Sequence, residues 1–180
     1  GMRSFDATDA DFFLQLVPGP VDRHGVPESI RFWKQRLDDR DPQATFRVGV
    51  IYGPSGSGKS SFVKAGILPR LDPQTEVLLL EAAPGATCER LLHSLRRLDA
   101  DTDEASTAGD ALAQRRRRVG ERRGDKLLIV IDQFEQALQG ASPDELHQLT
   151  LALRQCDGGH VQSLLIIRDD FWLHLVRFMQ

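Results

Sequence analysis

A glycine-rich turn between an apolar strand and a helix constrains this chain more than any other feature. Residues 47–52 form a short β-rich run that is typical of a buried strand. The eight residues that follow are Gly53, Pro54, Ser55, Gly56, Ser57, Gly58, Lys59 and Ser60. They match the pattern G-x-x-x-x-G-K-[ST]. The probability that a random chain of this composition and length contains a match is about 0.003. A helix is predicted from Ser60 to Leu68, because Pro69 cannot continue it.

Each residue type in this turn suits the binding of a phosphate chain. Glycines let successive backbone N–H groups turn inward around phosphate oxygens, and the helix that follows points its N-terminus at the same anion. In this pattern the amine of Lys59 reaches the β- and γ-phosphates, and the hydroxyl of Ser60 is a ligand of Mg²⁺. The predicted nucleotide contacts run from Gly53 to Ser61, and the alternative is a flexible Gly/Ser turn.

A second acidic site is predicted at the end of the apolar run Leu127–Asp132. A continuous apolar strand that ends in an acid, 60 to 80 residues after a phosphate loop, is a Walker B pattern. Asp132 is therefore expected to hold Mg²⁺, usually through water, together with Ser60. The alternative is a solvated aspartate at a strand end.

Two further residues are candidates for catalysis. Glu135 lies three positions after Asp132 and is predicted to act as a general base on the attacking water, because Gln133 cannot accept a proton. Arg168 ends the run of residues 164–168 and is predicted to contact the γ-phosphate. The alternatives are a surface helix charge for Glu135 and a salt bridge to a neighbouring aspartate for Arg168.

The remaining pattern alternates strands with helices. Residues 77–80 and 164–167 are apolar strands, and residues 87–98 carry leucines at helical spacing. Ser142, Pro143 and Glu145 stand at the N-cap, N1 and N3 positions of another predicted helix. This alternation predicts an α/β fold whose parallel sheet has right-handed crossovers.

Composition limits the class of protein. With 180 residues, 41% of them hydrophobic and 27% charged, the chain is the size of one globular domain. Its net charge of -3 argues against a general nucleic-acid binder, and no apolar run is long enough to cross a membrane. Two cysteines are too few for a disulfide scaffold, and no apolar segment typical of a signal peptide follows the first residues. Both observations favour a location in the reducing cytoplasm.

The motifs together resemble one family. The run from Gly53 to Pro69 resembles the phosphate-loop helix of bacterial STAND proteins, the novel STAND or NACHT-like signalling ATPases related to the AAA+ proteins. Residues 130–136 are similar to the Walker B segment of that family, and residues 167–171 are similar to its sensor-1 segment. The resemblance covers most of residues 5–175, with residues 99–123 unmatched.

The resemblance implies a three-layer αβα P-loop NTPase core with a parallel sheet of at least four strands in the order 2-3-4-1. It assigns the phosphate-loop lysine to Lys59, the Mg²⁺ ligands to Ser60 and Asp132, the second acid to Glu135 and the sensor arginine to Arg168. It also implies a fifth strand and a lid that this chain lacks, so a truncated nucleotide-binding domain is expected. In place of the Gly-Arg-Glu box of the family, residues 22–25 read Asp-Arg-His-Gly.

Family members are ATP-controlled switches that often hydrolyse ATP slowly and self-associate when a sensor domain receives a signal. The resemblance therefore implies ATP and Mg²⁺ as cofactors and protein partners through domains outside this chain. The net charge and the lack of a long apolar run argue against nucleic acid and membrane as partners. Three segments are expected: N-terminal helices packed on the core over residues 1–45, the incomplete core over 46–180, and a variable acidic and basic insertion over 99–124.

Two other functions remain open from the residues. A P-loop kinase would transfer the γ-phosphoryl group to a small acceptor, and the basic run Arg115–Arg123 would supply its substrate lid. A scaffold would bind nucleotide without hydrolysing it. The basic run also suits a nucleic-acid patch. A solvated helix face is favoured, because the run contains no aromatic residue to stack on bases and is interrupted by the acidic Glu121.

Overall fold

A four-stranded parallel sheet forms the centre of the computed structural model, which describes residues 6–98, 105–121 and 126–179. The strands lie in the order β1-β4-β3-β2, so the expected order 2-3-4-1 is confirmed. The strands are β1 (Val48–Gly53), β2 (Thr75–Glu81), β3 (Lys126–Asp132) and β4 (Val161–Arg168). The α-helices are α1 (Ala10–Leu14), α2 (Glu28–Asp38), α3 (Lys59–Ser61), α4 (Thr87–Leu98), α5 (Ala108–Glu121), α6 (Glu135–Gln139), α7 (Pro143–Leu153) and α8 (Trp172–Met179).

Helices cover both faces of the sheet, which explains the continuous apolar runs of its inner strands. On β3, Leu127, Ile129 and Ile131 face the layer that contains α4, α5, α7 and α8. The alternate residues Leu128 and Val130 face the layer that contains α2 and the phosphate-loop helix. The molecule therefore has three layers, as the family resemblance implied. Every second side chain of β3 points toward the layer that contains the phosphate-loop helix.

The helix after the glycine-rich turn differs from the regular α-helix that was predicted over residues 60–68. Its first turn is α3, residues 62–67 are π-helical, and Leu68–Arg70 is a 3-10 turn. A glycine at position 66 and a proline at 69 weaken the preference for regular α-helix. Val63 and Ile67 of the π-helical segment are buried against the sheet.

The N-terminal helices pack directly on this irregular helix. A Cβ at Gly66 would lie 2.9 Å from Cδ1 of Ile30 and 3.3 Å from a ring carbon of Phe13, so a larger residue here would have to displace these side chains. Arg70 donates from Nη1 to the carbonyls of Ala65 and Gly66, at 2.9 Å each, and from Nη2 to the carbonyl of Ala10 at 3.0 Å. One guanidinium therefore caps the helix and binds the N-terminal segment.

A buried lysine lies at the edge of the sheet where the strands begin. Lys126 is fully buried, and its Nζ donates to the carbonyl of Asp39 at 2.5 Å. Burial, together with the nearby charge of Arg40, lowers the pKa of this amine to about 8. On the adjacent strand, Gln162 donates from Nε2 to the carbonyl of Phe46 at 2.7 Å. Polar side chains thus attach residues 39–46 beneath the sheet.

The basic segment is partly described. Ala108, Ala111 and Leu112 of α5 are buried in the layer with α4 and α7. Arg115 pairs with Glu76, and Nη1 of Arg116 donates to the carbonyl of Gln155 at 3.2 Å. Residues 99–104 and 122–124 of the expected insertion lie outside the described residues.

The three residues predicted at the start of α7 occupy their predicted positions. Oγ of Ser142 accepts from the N–H of Glu145 at 3.2 Å, and Pro143 stands at the first helical position. The carboxylate of Glu145 does not complete a capping box, because its Oε1 accepts instead from the N–H of Thr87 at 2.8 Å. Glu145 therefore also caps the start of α4.

Candidate functional site

The four strands end together at one edge of the sheet. Gly53 of β1 is in register with Arg168 of β4, and Glu81 of β2 is in register with Asp132 of β3. Because all four strands are parallel, these four residues form a row at the carboxyl ends, where ligands of open α/β sheets bind. The glycine-rich turn begins at this row.

The conformation of the turn depends on glycine. Gly56 and Gly58 have φ of +76° and +85°, a region that strains any other residue. A Cβ at Gly53 would lie 3.2 Å from Oγ of Ser57. Nζ of Lys59 donates to the carbonyls of Gly53 and Pro54, at 2.7 and 2.6 Å, so the ammonium is held within the turn.

The acid at the end of β3 lies next to the helix that follows the turn. Asp132 has the same orientation along β3 as Leu128 and Val130, which face the phosphate-loop layer. It is 3% exposed, and its Oδ1 accepts from Oγ of Ser60 at 2.8 Å. The fold thus brings together two predicted metal ligands that are 72 positions apart.

Sequence reasoning missed Lys64. Its Nζ lies 2.7 Å from Oδ2 of Asp132. The hydroxyl of Ser60 donates to the other carboxylate oxygen, Oδ1. The signal was available, because residues four apart on a helix share one face and Lys64 follows Ser60 at that spacing. An ammonium is therefore built into the predicted metal site.

Gln133 is the second residue of interest that sequence reasoning passed over. Its φ is 53°, the one positive φ of a non-glycine residue in the described ranges. Its N–H donates to Oδ1 of Asp132 at 2.9 Å, and its Nε2 donates to Oε1 of Glu81 at 2.8 Å. Strained backbone of this kind clusters at functional sites. No motif spacing pointed to Glu81, which lies beside Asp132 only because β2 and β3 pair in this register.

The two predicted catalytic residues meet at the end of β4. Glu135 is 6% exposed, and its Oε2 accepts from the backbone N–H of Arg168 at 3.3 Å. The guanidinium of Arg168 makes two contacts with Asp170, Nε to Oδ1 at 3.1 Å and Nη2 to Oδ2 at 2.5 Å. The salt bridge considered as an alternative for Arg168 is therefore present.

A polar cleft of about 370 Å³ connects these groups. This is within the volume range of small-ligand sites. Residues that line it include Lys59, Ser60, Asp132, Gln133, Glu135 and Arg168. Ser61 is buried and is not among the residues that line the cleft.

The donors present fit a divalent cation. Ser60 supplies a hydroxyl oxygen, and Asp132 supplies a carboxylate whose Oδ1 lies 2.8 Å from it. Both are hard oxygen ligands, which Mg²⁺ prefers, and Mg²⁺ is commonly held by one or two such groups together with phosphate oxygens. The site would therefore hold the cation jointly with a bound phosphate chain.

A second cleft, of about 420 Å³, lies at the other edge of the sheet. Val48, Leu153 and Phe178 form part of its wall, with the exposed Arg47 and Arg154 beside them. It contains none of the predicted site residues, so the motifs point to the smaller polar cleft.

The family model of Novel STAND NTPase 1 matches residues 1–180 of this chain. The chain belongs to this family. Membership identifies it as a nucleotide-binding regulatory domain of the STAND NTPases, in agreement with the resemblance noted from the sequence. No curated protein sequence matches this STAND domain.

A solved structure, "Structure of Drosophila ORC bound to AT-rich DNA and Cdc6", is similar in fold to the STAND domain, with a TM-score of 0.53 and 17% sequence identity. The match covers 84% of this chain and 52% of that one, so the STAND domain spans about half the length of its neighbour. At this identity the likeness shows the fold alone. Among the helices in the described part of the STAND domain, none is long and apolar enough to cross a membrane.

Proposed function

We propose that this domain binds ATP with Mg²⁺ and hydrolyses it slowly, as the regulatory switch of a larger signalling protein. The observation that carries the proposal is the hydrogen bond of 2.8 Å between Ser60 and Asp132, which joins the phosphate loop to the end of β3. A hydroxyl and a carboxylate at this position are the pair that holds the metal in P-loop NTPases.

In the proposed mechanism the loop binds and orients the phosphate chain. Backbone N–H groups between Gly53 and Ser61 donate to phosphate oxygens, supported by the helix N-terminus. Lys59 exchanges its two carbonyl partners for β- and γ-phosphate oxygens. Mg²⁺, when bound at Ser60 and Asp132, neutralises charge on the phosphates.

Glu135 is the proposed general base. Its burial at the cleft and its hydrogen bond to the N–H of Arg168 hold the carboxylate at the end of β4. From there it would accept a proton from the attacking water, a role that typically contributes 10²–10⁴-fold to rate. The slow turnover and the self-association of the longer protein rest on the family resemblance.

A single-turnover assay with γ-labelled ATP separates the three candidate functions. We expect phosphate to appear in water, at a rate that does not depend on added acceptor. Acceptor-dependent transfer would favour a P-loop kinase. Binding without turnover, measured also in the full-length protein, would favour a scaffold. Absence of nucleotide binding would refute all three.

The kinase alternative depends on the basic run as a substrate lid. Arg115 contacts Glu76, near the start of β2. Arg116 contacts Gln155, which precedes β4 in the chain. Both contacts lie toward the edge where strands begin, away from the cleft. The described arginines therefore do not support a lid over the phosphate loop.

Arg168 is the proposed sensor of the γ-phosphate. We expect Arg168→Ala to weaken ATP binding by about tenfold and ADP binding by less than about twofold, because a charge-assisted contact to the terminal phosphate is lost. Titration calorimetry with both nucleotides measures this. Arg177→Ala, which removes an exposed arginine from α8, is the control. Equal losses for ATP and ADP would remove Arg168 from this role.

A further inference from the structure

We propose that Lys64 is the internal counter-ion of the metal site and makes divalent-cation binding depend on prior arrival of a phosphate chain. The inference rests on the proposed function and adds a regulatory residue to it. Its basis is the 2.7 Å contact between Nζ of Lys64 and Oδ2 of Asp132, a carboxylate that is almost fully buried.

The carboxylate of Asp132 is fully engaged by this chain. Oδ1 accepts from Oγ of Ser60 and from the N–H of Gln133, and Oδ2 carries the ammonium of Lys64. A metal ion that approaches this carboxylate meets a neutralised acid and a nearby positive charge. Repulsion between the ammonium and a dication at adjacent oxygens lowers metal affinity by about tenfold or more.

A bound phosphate chain reverses this balance. Its negative charges lie on the side of Asp132 that faces the cleft, whereas Lys64 approaches from the following turn of the helix. Mg²⁺ dehydrates reluctantly and binds through few protein ligands plus phosphates, so the phosphates are the larger source of affinity. Lys64 therefore acts through Asp132 as a positioning residue, without contact to the substrate.

The test measures Mn²⁺ binding to the nucleotide-free domain by electron paramagnetic resonance. We expect Lys64→Met to raise Mn²⁺ affinity by about tenfold or more, because it keeps the length of the side chain and removes its charge. Lys64→Arg keeps the charge and is expected to match the wild type. Equal affinities for wild type and Lys64→Met would overturn the proposal.

Recovery of thermal stability by Mg²⁺ is a readout that loss of a merely structural ion pair would not produce. We expect Lys64→Met to melt below the wild type, because a buried carboxylate loses its cation, and millimolar Mg²⁺ alone to restore most of the loss. Mg²⁺ alone is expected to leave the wild type unchanged. A loss of stability in Lys64→Met that Mg²⁺ does not recover would contradict the counter-ion role.

If Lys64→Met does not fold, melting of the wild type with and without Mg²⁺ still tests the proposal. The proposal expects Mg²⁺ without nucleotide to raise its melting temperature by less than about 1 °C, and Mg²⁺ with ADP to raise it by more than ADP alone. Stabilisation of the nucleotide-free wild type by millimolar Mg²⁺ would refute the proposal. Failure of the domain to bind any nucleotide would instead refute the proposed function, since the Mn²⁺ titration needs none.

Discussion

Lys59→Ala is expected to abolish measurable ATP binding, a loss of about 100-fold or more. The ammonium of Lys59 is held within the turn by two carbonyls, so it is already positioned beside any phosphate chain that enters. Its replacement removes charge-assisted hydrogen bonds of about 1.5–3 kcal/mol each and leaves no other lysine in the turn. Titration calorimetry with ATP measures the loss.

The fold is expected to survive this change, because residues 54–58 of the turn are exposed and their carbonyls regain water. Lys34→Ala, which removes a lysine of α2 that pairs with Asp38 and does not line the cleft, is the matched control and should bind ATP as the wild type does. Unchanged ATP affinity in Lys59→Ala would refute the assignment of the phosphate loop.

Glu135→Gln is expected to keep ATP affinity and to slow hydrolysis by about 100-fold or more. The amide oxygen of glutamine still accepts from the N–H of Arg168, so the local structure is preserved. The amide does not accept a proton, so the general-base contribution of 10²–10⁴-fold is lost. Single-turnover release of labelled phosphate measures the rate.

The control removes an exposed acid of the same type that does not line the cleft. Glu89→Gln lies on the exposed face of α4 and should hydrolyse ATP at the wild-type rate. An undiminished rate in Glu135→Gln would remove Glu135 from the mechanism and direct attention to Gln133 and Glu81, which share a hydrogen bond of 2.8 Å beside Asp132.

The strand order and the layers were predictable because they follow from a motif and a periodicity. The turn after β1 and the apolar run before Asp132 identify the family, and the family fixes the order of the sheet. The sheet then places Asp132 on the side of the phosphate loop, as the alternation of residues along β3 requires.

Side-chain partners at the site were harder to predict, since each belongs to a contact between distant segments. Glu81 reaches Gln133 only because β2 and β3 are adjacent and in that register. The π-helical winding of residues 62–67 also depends on packing, because helix propensity alone predicts an α-helix there. Lys64 was predictable from spacing, once Asp132 was known to face its helix.

The guanidinium of Arg70 joins segments that a boundary at residue 45 would separate. It binds Ala65, Gly66 and Ala10 at once, while Leu37 of α2 is buried in the same apolar cluster as Val63. We therefore expect residues 10–38 and the helix that carries Ser60 to unfold as one cooperative unit. Detachment of the N-terminal segment would remove the contact between Ala10 and Arg70 and expose the helix that follows the phosphate loop.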